Sequence, residues 1–262
     1  MSAGVRLARR LGGIAIARRP ALSFNAWLRY GWIRRGLRGM PLDTQLLEIG
    51  AGQGAVSARL AERCRYVGVE ADPASAAVAQ GRVEPHDGSV LRGEADEVVG
   101  ERTVDAVVAF EVLEHLEDDV AALRRWAGWL RPGGRLVISV PAQPHRFGPW
   151  DVAVGHYRRY TRSTLEEALR EAGFEPIGLW SYGWPLGYLL ETVRNRLAGP
   201  VEADPTSMEE RTARSGRRFQ PGAAAAPLTW LVTWPFRVLQ RPFAATRLGT
   251  GLVAAARWPG PR

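Results

Sequence analysis

The sequence predicts an α/β fold built on a parallel, doubly wound sheet. Short apolar runs alternate with segments of helical spacing through residues 44–184, a glycine-rich turn follows the first run, and acidic residues follow the next runs. Alternating strands and helices are typical of parallel sheets. Ligands of such sheets bind beyond the carboxyl ends of the strands, where these glycines and acids are expected to meet.

Each strand is predicted from an apolar run bounded by turn residues. The seven predicted strands cover residues 44–50, 66–70, 89–95, 104–110, 135–141, 175–182 and 249–258. Helices are predicted over 55–64, 73–80, 119–130 and 163–174. Pro132, Gly133 and Gly134 are expected to end the third of these helices, and Ser163 with Glu166 predicts a capping box at the start of the fourth.

The chain divides into four predicted parts. Residues 1–43 form a basic N-terminal helical lid, and residues 44–184 form the core. About 60 residues separate the last two strands, which is too long for an ordinary connection. We therefore predict an inserted helical cap over 185–248, with a polar, mobile segment at 201–222, before the final strand and tail at 249–262.

Charge is distributed unevenly along the chain. Residues 1–40 carry a net charge of +9, residues 41–191 carry −8 and residues 192–262 carry +7, and every basic residue is arginine. A nucleic-acid binder usually carries its basic surface on the folded domain, so the acidic middle argues against one. The basic ends also hold half of the tryptophans, namely Trp27, Trp32, Trp230, Trp234 and Trp258. Arginine and tryptophan among apolar residues are typical of a membrane surface contact.

Two further features bound the location of the protein. A single cysteine, Cys64, excludes an intrachain disulfide and argues against a cysteine-based zinc site. No segment reaches the length of an uncharged spanning helix. We expect a cytoplasmic protein that contacts a membrane from its surface.

The run LLEIGAGQGAV places three glycines and an acid at the first strand-to-helix turn. Glycine lets the backbone turn sharply and approach a ligand closely. The spacing also admits a dinucleotide loop. Glu48 would repel a pyrophosphate, however, and the turn offers no cation. A ligand with a positive charge, such as S-adenosylmethionine, suits this turn better.

Acidic residues also follow the second and third predicted strands. Glu70 ends the run VGVE, where a carboxylate can accept both hydroxyls of a ribose. Glu94, in RGEAD, is placed to accept an adenine amino group, or it is a solvated loop acid. These residues predict that a nucleoside binds here, but they do not indicate which nucleoside.

Together, LEIGAGQG, VGVEADP, GEA, FEVLEHLEDD and LRPGGRLVISVP resemble, in order and spacing, the class I S-adenosylmethionine-dependent methyltransferases. The branch they are most similar to is the ubiquinone-biosynthesis O-methyltransferase type. The resemblance implies a Rossmann-like seven-stranded sheet whose last strand is antiparallel. It also implies that S-adenosylmethionine binds, leaving as S-adenosylhomocysteine, among Glu48, Gly50, Ala51, Gly52, Gly54, Glu70, Ala71, Glu94, Ala95, Phe110 and Glu111.

Three interpretations compete for the stretch FEVLEHLEDD. Glu111, Glu114 and His115 have the spacing of one helical face. His115 is a candidate general base, because its ordinary pKa suits the removal of a hydroxyl proton. The group could instead hold a divalent metal, although we predict no metal site, or it could be structural. His156, in the loop after strand five that the resemblance assigns to the acceptor pocket, is a second candidate base.

The predicted function is O-methylation of a small hydrophobic or lipid-like hydroxylated acceptor. One alternative is a protein of this fold that binds the cofactor without methylating, as a cyclase or a structural partner. Another is N- or C-methylation of a small molecule. Nucleic acid is not an expected partner, because no Asn/Asp-Pro-Pro-aromatic tetrad follows strand four. The sequence does not indicate an oligomeric state.

Overall fold

The computed structural model describes residues 19–101, 103–198 and 221–261. Its centre is one seven-stranded sheet of order β3-β2-β1-β4-β5-β7-β6. The strands are β1 (Gln45–Ile49), β2 (Arg65–Glu70), β3 (Ser89–Arg92), β4 (Val104–Phe110), β5 (Leu130–Pro141), β6 (Glu175–Tyr182) and β7 (Gly251–Arg257). Strand β7 runs antiparallel to both β5 and β6, and the other pairs are parallel. The predicted fold class is confirmed.

Helices pack on both faces of this sheet. They are α1 (Phe24–Gly36), α2 (Ser57–Ala61), α3 (Pro73–Val83), α4 (Ala95–Val98), α5 (Asp119–Gly128), α6 (Pro149–Val154), α7 (Arg162–Glu171), α8 (Leu186–Ala198) and α9 (Ala226–Leu239). Short 3-10 turns cover Glu84–His86, Leu113–His115, Pro144–Arg146, Ala223–Ala225 and Arg241–Phe243.

The apolar strands fill two hydrophobic cores, one on each face of the sheet. Side chains alternate between faces along a strand, so Val107 belongs to one core and its neighbour Val108 to the other. The first core is closed by α5 and α7, and the second by α1 and α2. Burial on both faces explains why the strands read as continuous apolar runs.

Two local predictions at helix ends were wrong. Helix α5 ends at Gly128 rather than near Pro132, because Leu130 already pairs with Val104 and begins β5. Helix α7 is capped by Thr161, whose hydroxyl accepts from the amide of Thr164 at 3.1 Å, not by Ser163. The hydroxyl two residues earlier takes the cap, so the helix starts sooner.

Helices from the two flanking segments pack onto the sheet and onto each other. Helix α1, the described part of the predicted lid, buries Trp32 and Ile33 against the sheet. Helix α9 packs along α1, where the indole of Trp27 donates to the Thr229 hydroxyl at 3.3 Å. Residues 1–18 of the predicted lid and 201–220 of the predicted mobile segment lie outside the described residues. In the part of the chain that the structure covers, no helix is long and apolar enough to cross a membrane.

Candidate active site

A groove of about 1060 Å³ opens at the carboxyl ends of the parallel strands. All eleven residues predicted to surround a cofactor line it: Glu48, Gly50, Ala51, Gly52, Gly54, Glu70, Ala71, Glu94, Ala95, Phe110 and Glu111. They come from the ends of β1, β2 and β4 and from the residues after β3. The first residues of α1 and one side of α8 complete the walls.

The glycine-rich turn after β1 needs its glycines for conformation and for space. Gly50, Gly52 and Gly54 all have positive φ angles, which side chains rarely adopt. A Cβ on Gly54 would lie 2.8 Å from the Cα of Ala79 in α3. The turn therefore packs directly on α3 and leaves its other side to the groove.

The Glu70 carboxylate is fixed by two backbone amides. Gly52 N–H donates to one oxygen at 2.7 Å, and Asp72 N–H donates to the other at 2.9 Å. Burial raises the pKa of Glu70, and these two amide bonds oppose that rise. The carboxylate is thus held at the groove wall in one orientation, as a ribose would require.

Glu48 lies beneath the glycine turn rather than open to the groove. Its side chain is buried, and one oxygen accepts from the hydroxyls of Ser57 and Tyr66, both at 2.6 Å. Burial raises the pKa of Glu48 to about 7 against the effect of these two bonds. Glu48 therefore ties β1 to α2 and β2 while it borders the groove.

Glu111 has a left-handed backbone, with φ at 59°. Its Oε1 accepts from the hydroxyls of Ser139, at 2.8 Å, and Tyr182, at 3.1 Å, and lies 3.2 Å from the Arg29 guanidinium. Burial alone would raise the pKa of Glu111, but the charge of Arg29, with the Ser139 bond, holds it below its ordinary value. A non-glycine residue in this region usually marks a functional site.

The left-handed Glu111 overturns one prediction. Glu111, Glu114 and His115 do not share one helical face, because only Leu113–His115 form a 3-10 turn and Glu111 precedes it with reversed backbone handedness. Glu114 is instead completely buried and has no surface on the groove. Neither of its carboxylate oxygens has a hydrogen-bond partner. Burial, and then repulsion by Glu111, raises the pKa of Glu114 well above its ordinary value.

His115 and His156 meet at the wall of the groove. Their rings make an edge contact with centroids 4.6 Å apart, and both line the groove. His115 Nδ1 lies 3.1 Å from the Gly155 carbonyl, which can only accept, so Nδ1 donates. Burial, and then His156, lowers the pKa of His115 to about 4. His115 is therefore neutral at neutral pH and holds a proton poorly.

His156 is oriented by a carboxylate. Its Nδ1 lies 2.8 Å from Asp151 Oδ1. Burial would raise the pKa of Asp151, but the bonds from His156 and Arg159 hold it far below its ordinary value, so the carboxylate is ionised. Nδ1 consequently donates to Asp151 and the lone pair of the ring lies on Nε2. This is the arrangement of an oriented general base.

A buried ionic chain supports this pair. Arg159 binds both oxygens of Asp151, at 2.9 and 2.6 Å, and also contacts Glu191 on α8. Arg146 closes the chain on Glu191 with a bond of 2.7 Å. These ion pairs fix the loop after β5 to α8, and they fix Asp151 behind His156.

The residues around Glu114 also fit a divalent cation. One ligand atom from each of Glu114, His115 and His156 lies within 4.8 Å of the others. The orphaned carboxylate of Glu114 is the observation that favours the fit, because buried polar atoms are normally partnered. Asp151 accepts a hydrogen bond from His156 Nδ1, as carboxylates do from the metal-binding histidines of many metal sites. A cation there would lower the pKa of an acceptor hydroxyl.

Sequence reasoning missed the arginines of this site. Arg29 pairs with Glu111 from α1, and Arg194 reaches the same end of the groove from α8. Both lie far from the motifs in sequence, and neither belongs to a recognisable pattern. The only signal was that the flanking segments were expected to cover the site.

The fold and the groove define a class I S-adenosylmethionine-dependent methyltransferase: the strand order, the antiparallel last strand, the glycine turn and the carboxylate after β2 occur together. The comparisons with known proteins agree. The model of the methyltransferase domain family matches residues 24–179, more than half of the chain, and the chain belongs to this family. The cofactor of this class is S-adenosylmethionine.

This chain matches its curated relatives over only about half of their own length. A Mycolicibacterium smegmatis protein named "Probable S-adenosylmethionine-dependent methyltransferase" is 33% identical over 158 residues, 58% of this chain and 60% of the relative. The ubiquinone biosynthesis O-methyltransferase of Azorhizobium caulinodans is 36% identical over 115 residues, 42% of this chain and 45% of the relative. The trans-aconitate 2-methyltransferase of Methylobacterium radiotolerans is 33% identical over 135 residues, 45% of this chain and 51% of the relative.

Solved structures share the fold at low identity. The N-methyltransferase NodS of Bradyrhizobium japonicum, solved with S-adenosylhomocysteine, has a TM-score of 0.55 and 18% identity over 98% of each chain. The [4+2]-cyclase SpnF has a TM-score of 0.54 and 20% identity, with 98% of this chain and 93% of that chain covered. At these identities the likeness concerns the fold alone.

Proposed function

We propose that this protein transfers a methyl group from S-adenosylmethionine to a hydroxyl of a small hydrophobic or lipid-like acceptor. The observation that carries the proposal is the Asp151–His156 pair, whose Nδ1–Oδ1 distance is 2.8 Å, at the end of a groove lined by every residue predicted for the cofactor. The ubiquinone biosynthesis O-methyltransferase among the relatives supports oxygen as the acceptor atom.

The cofactor half of the groove fits an S-adenosylmethionine molecule by its donor set. Glu70 would accept the ribose hydroxyls, and Glu94 would accept the adenine amino group. The backbone of Gly50 and Gly52 gives room for close approach, because both lack a Cβ at a positive φ. Glu111, whose pKa is held below its ordinary value, would place negative charge near the amino and sulfonium end, and the buried Glu48 borders the same groove.

In the acceptor half, His156 would take the proton of the acceptor hydroxyl. Bound S-adenosylmethionine would supply the methyl group: the hydroxyl oxygen would bond to the methyl carbon as the carbon–sulfur bond breaks, and the electron pair of that bond would stay on sulfur. The proton remains on His156 Nε2, and the resulting imidazolium is stabilised by Asp151, which is bonded to Nδ1. Neutral His115 packs against the His156 ring and limits its movement. Holding the two reactants in line supplies most of the acceleration.

The test is direct product analysis. The full chain is incubated with S-adenosylmethionine labelled in the methyl group and with a panel of phenols, quinols and hydroxylated lipids. We expect S-adenosylhomocysteine and one acceptor heavier by a single labelled methyl on oxygen. A product that carries the labelled methyl on carbon or nitrogen would identify the protein as a C- or N-methyltransferase instead. A product of unchanged mass, or tight cofactor binding without any product, would favour the cyclase or structural alternative suggested by the fold of SpnF.

An apolar surface beside the groove supports a lipid-like acceptor. Helix α8 exposes Leu189, Val193 and Leu197, and the last two also line the groove. Helix α9 exposes Leu228, Trp230, Leu231 and Trp234. Residues 221–261 contain four arginines and no acid. Tryptophan with arginine on an apolar helix suits an anionic lipid surface. We propose that this face rests on a membrane and that the acceptor enters from it.

Vesicle sedimentation tests this surface. We expect the protein to bind vesicles that contain phosphatidylglycerol, and the double variant Trp230→Ser with Trp234→Ser to lose most of that binding. The matched control is Ile177→Ser on β6, which removes a side chain that is 53% exposed elsewhere on the surface. Equal binding by all three proteins, or no binding by the native chain, would contradict the membrane contact.

A further inference from the structure

Arg194 on α8 forms no ion pair with any of the described residues, although the charges of Glu111 and Glu191 act on it from further away. It lines the groove and also a small recess beside it, shared with Glu111, Asp151 and His156. Its Nε is buried without a hydrogen-bond partner. Its guanidinium lies over the Trp150 ring, 5.5 Å from the ring centroid, which fixes its plane but supplies no acceptor. Burial of such a group without a partner is costly.

The nearby carboxylates are already engaged by other arginines. Glu111 pairs with Arg29 at 3.2 Å. Asp151 binds both arms of the Arg159 guanidinium, at 2.9 and 2.6 Å. Glu191 pairs with Arg159 and with Arg146. Glu114 has no surface on either cavity. Among the residues that the structure describes, Arg194 is therefore the arginine of this cluster whose guanidinium has no carboxylate paired with it.

Its position favours the acceptor over the cofactor. Arg194 shares the recess with His156 and Trp150, whereas Glu70 and Glu94 line the groove but not the recess. Guanidinium binds carboxylate and phosphate through paired N–H donors. We propose that Arg194 binds a carboxylate or phosphate group of the acceptor and so makes the enzyme selective for an anionic acceptor. This inference rests on the proposed function, because it takes the His156 end as the acceptor site.

Binding to the full chain saturated with S-adenosylhomocysteine tests the inference without any turnover. The probes are hydroxybenzoate, its uncharged analogue hydroxybenzamide, and phenyl phosphate, each titrated by calorimetry. The variants are Arg194→Met, which keeps the aliphatic stem, and Arg194→Lys, which keeps the charge. Arg196→Met is the matched control, because Arg196 is exposed two residues further along the same helix. Thermal unfolding checks that each variant is folded.

We expect the native chain to bind at least one of the two anions about 10- to 100-fold more tightly than hydroxybenzamide, as charge-assisted hydrogen bonds predict. Arg194→Met should abolish this preference, Arg194→Lys should retain part of it, and Arg196→Met should keep it entire. The better anion tells carboxylate from phosphate. Equal affinity for charged and uncharged probes, binding of none of them, or an equal loss in Arg196→Met would overturn the inference. Anion binding without methyl transfer would sustain it while the proposed reaction failed.

Discussion

His156 Nδ1 lies 2.8 Å from Asp151 Oδ1, and this bond favours His156 over His115 as the base of the proposed reaction. Two imidazoles meet at the end of the groove, but only His156 has a carboxylate on its far nitrogen. His115 faces a backbone carbonyl instead. An ionised partner stabilises the imidazolium that forms when the ring takes a proton, whereas a carbonyl does so weakly. We therefore propose different roles for the two rings despite their contact.

The buried state of His115 predicts a loss of stability in acid. Its folded pKa of about 4 lies below the ordinary value of 6.5. Between pH 6.5 and 4 the unfolded chain protonates this histidine while the folded chain does not. The stability present above pH 6.5 is therefore lost as the pH falls toward 4. At about 1.4 kcal/mol per pKa unit, we expect the free energy of unfolding to fall by about 3 kcal/mol over this range.

Urea unfolding between these pH values measures the effect. In His115→Asn the fall should be much smaller than in the native chain. The control His145→Asn changes an exposed histidine and should keep the native slope. Identical slopes in all three proteins would show that His115 is not protected from protonation.

Glu114 predicts a stabilising substitution. Its carboxyl is completely buried, and neither oxygen has a hydrogen-bond partner, although Oε1 lies 3.7 Å from His156 Nε2. Replacing an unpartnered buried polar group by an apolar one of similar size removes its desolvation cost. We expect Glu114→Met to raise the free energy of unfolding at pH about 8 by about 1–3 kcal/mol. Glu117→Met, at an exposed position, should change it little.

The same variant separates a cation site from an orphaned acid. The melting temperatures of the native chain and Glu114→Met are compared with and without added magnesium, manganese or zinc. If Glu114 only carries an unpartnered carboxyl, the variant melts higher in every condition. A native chain that gains stability from one of these ions, with no gain in Glu114→Met, would instead assign Glu114 as a metal ligand.

We expect alanine at Gly52 and alanine at Gly54 to lower the free energy of unfolding by different amounts. Gly52→Ala meets no neighbour within 4 Å and should cost only the left-handed strain, about 1–2 kcal/mol. Gly54→Ala adds a Cβ at 2.8 Å from the Ala79 backbone and should cost clearly more. Chemical unfolding of the two variants checks the order. Equal costs would mean that the turn does not pack on α3 as described.

Glu70 predicts a loss of cofactor affinity. Its carboxylate is oriented by the amides of Gly52 and Asp72 toward the place expected for the ribose. We expect Glu70→Ala to weaken S-adenosylhomocysteine binding about 10- to 100-fold, because hydrogen bonds to a charged group are lost. Glu97→Ala, on an exposed part of α4 outside the groove, is the control. Unchanged affinity in Glu70→Ala would place the ribose elsewhere.

The sequence predicted the parts of this site that depend on local pattern. Apolar runs define strands, glycines define turns, and topology places strand ends together, so Gly52, Glu70 and Glu111 could all be located in advance. The partners of these residues could not. Arg29 and Arg194 lie on flanking helices, and their contact with the groove depends on how α1 and α8 pack. The left-handed backbone of Glu111 could not be predicted either, because nothing in FEVLEH requires a positive φ.

Turnover of His156→Ala tests directly whether His156 is the base that removes the acceptor proton. The assay measures kcat and S-adenosylhomocysteine affinity for the native chain, His156→Ala and His115→Ala with the best hydroxylated acceptor. We expect His156→Ala to lower kcat by about 100-fold or more with cofactor affinity unchanged, and His115→Ala to have a smaller effect. Full turnover in His156→Ala would contradict this expectation, and positioning alone would then carry the reaction.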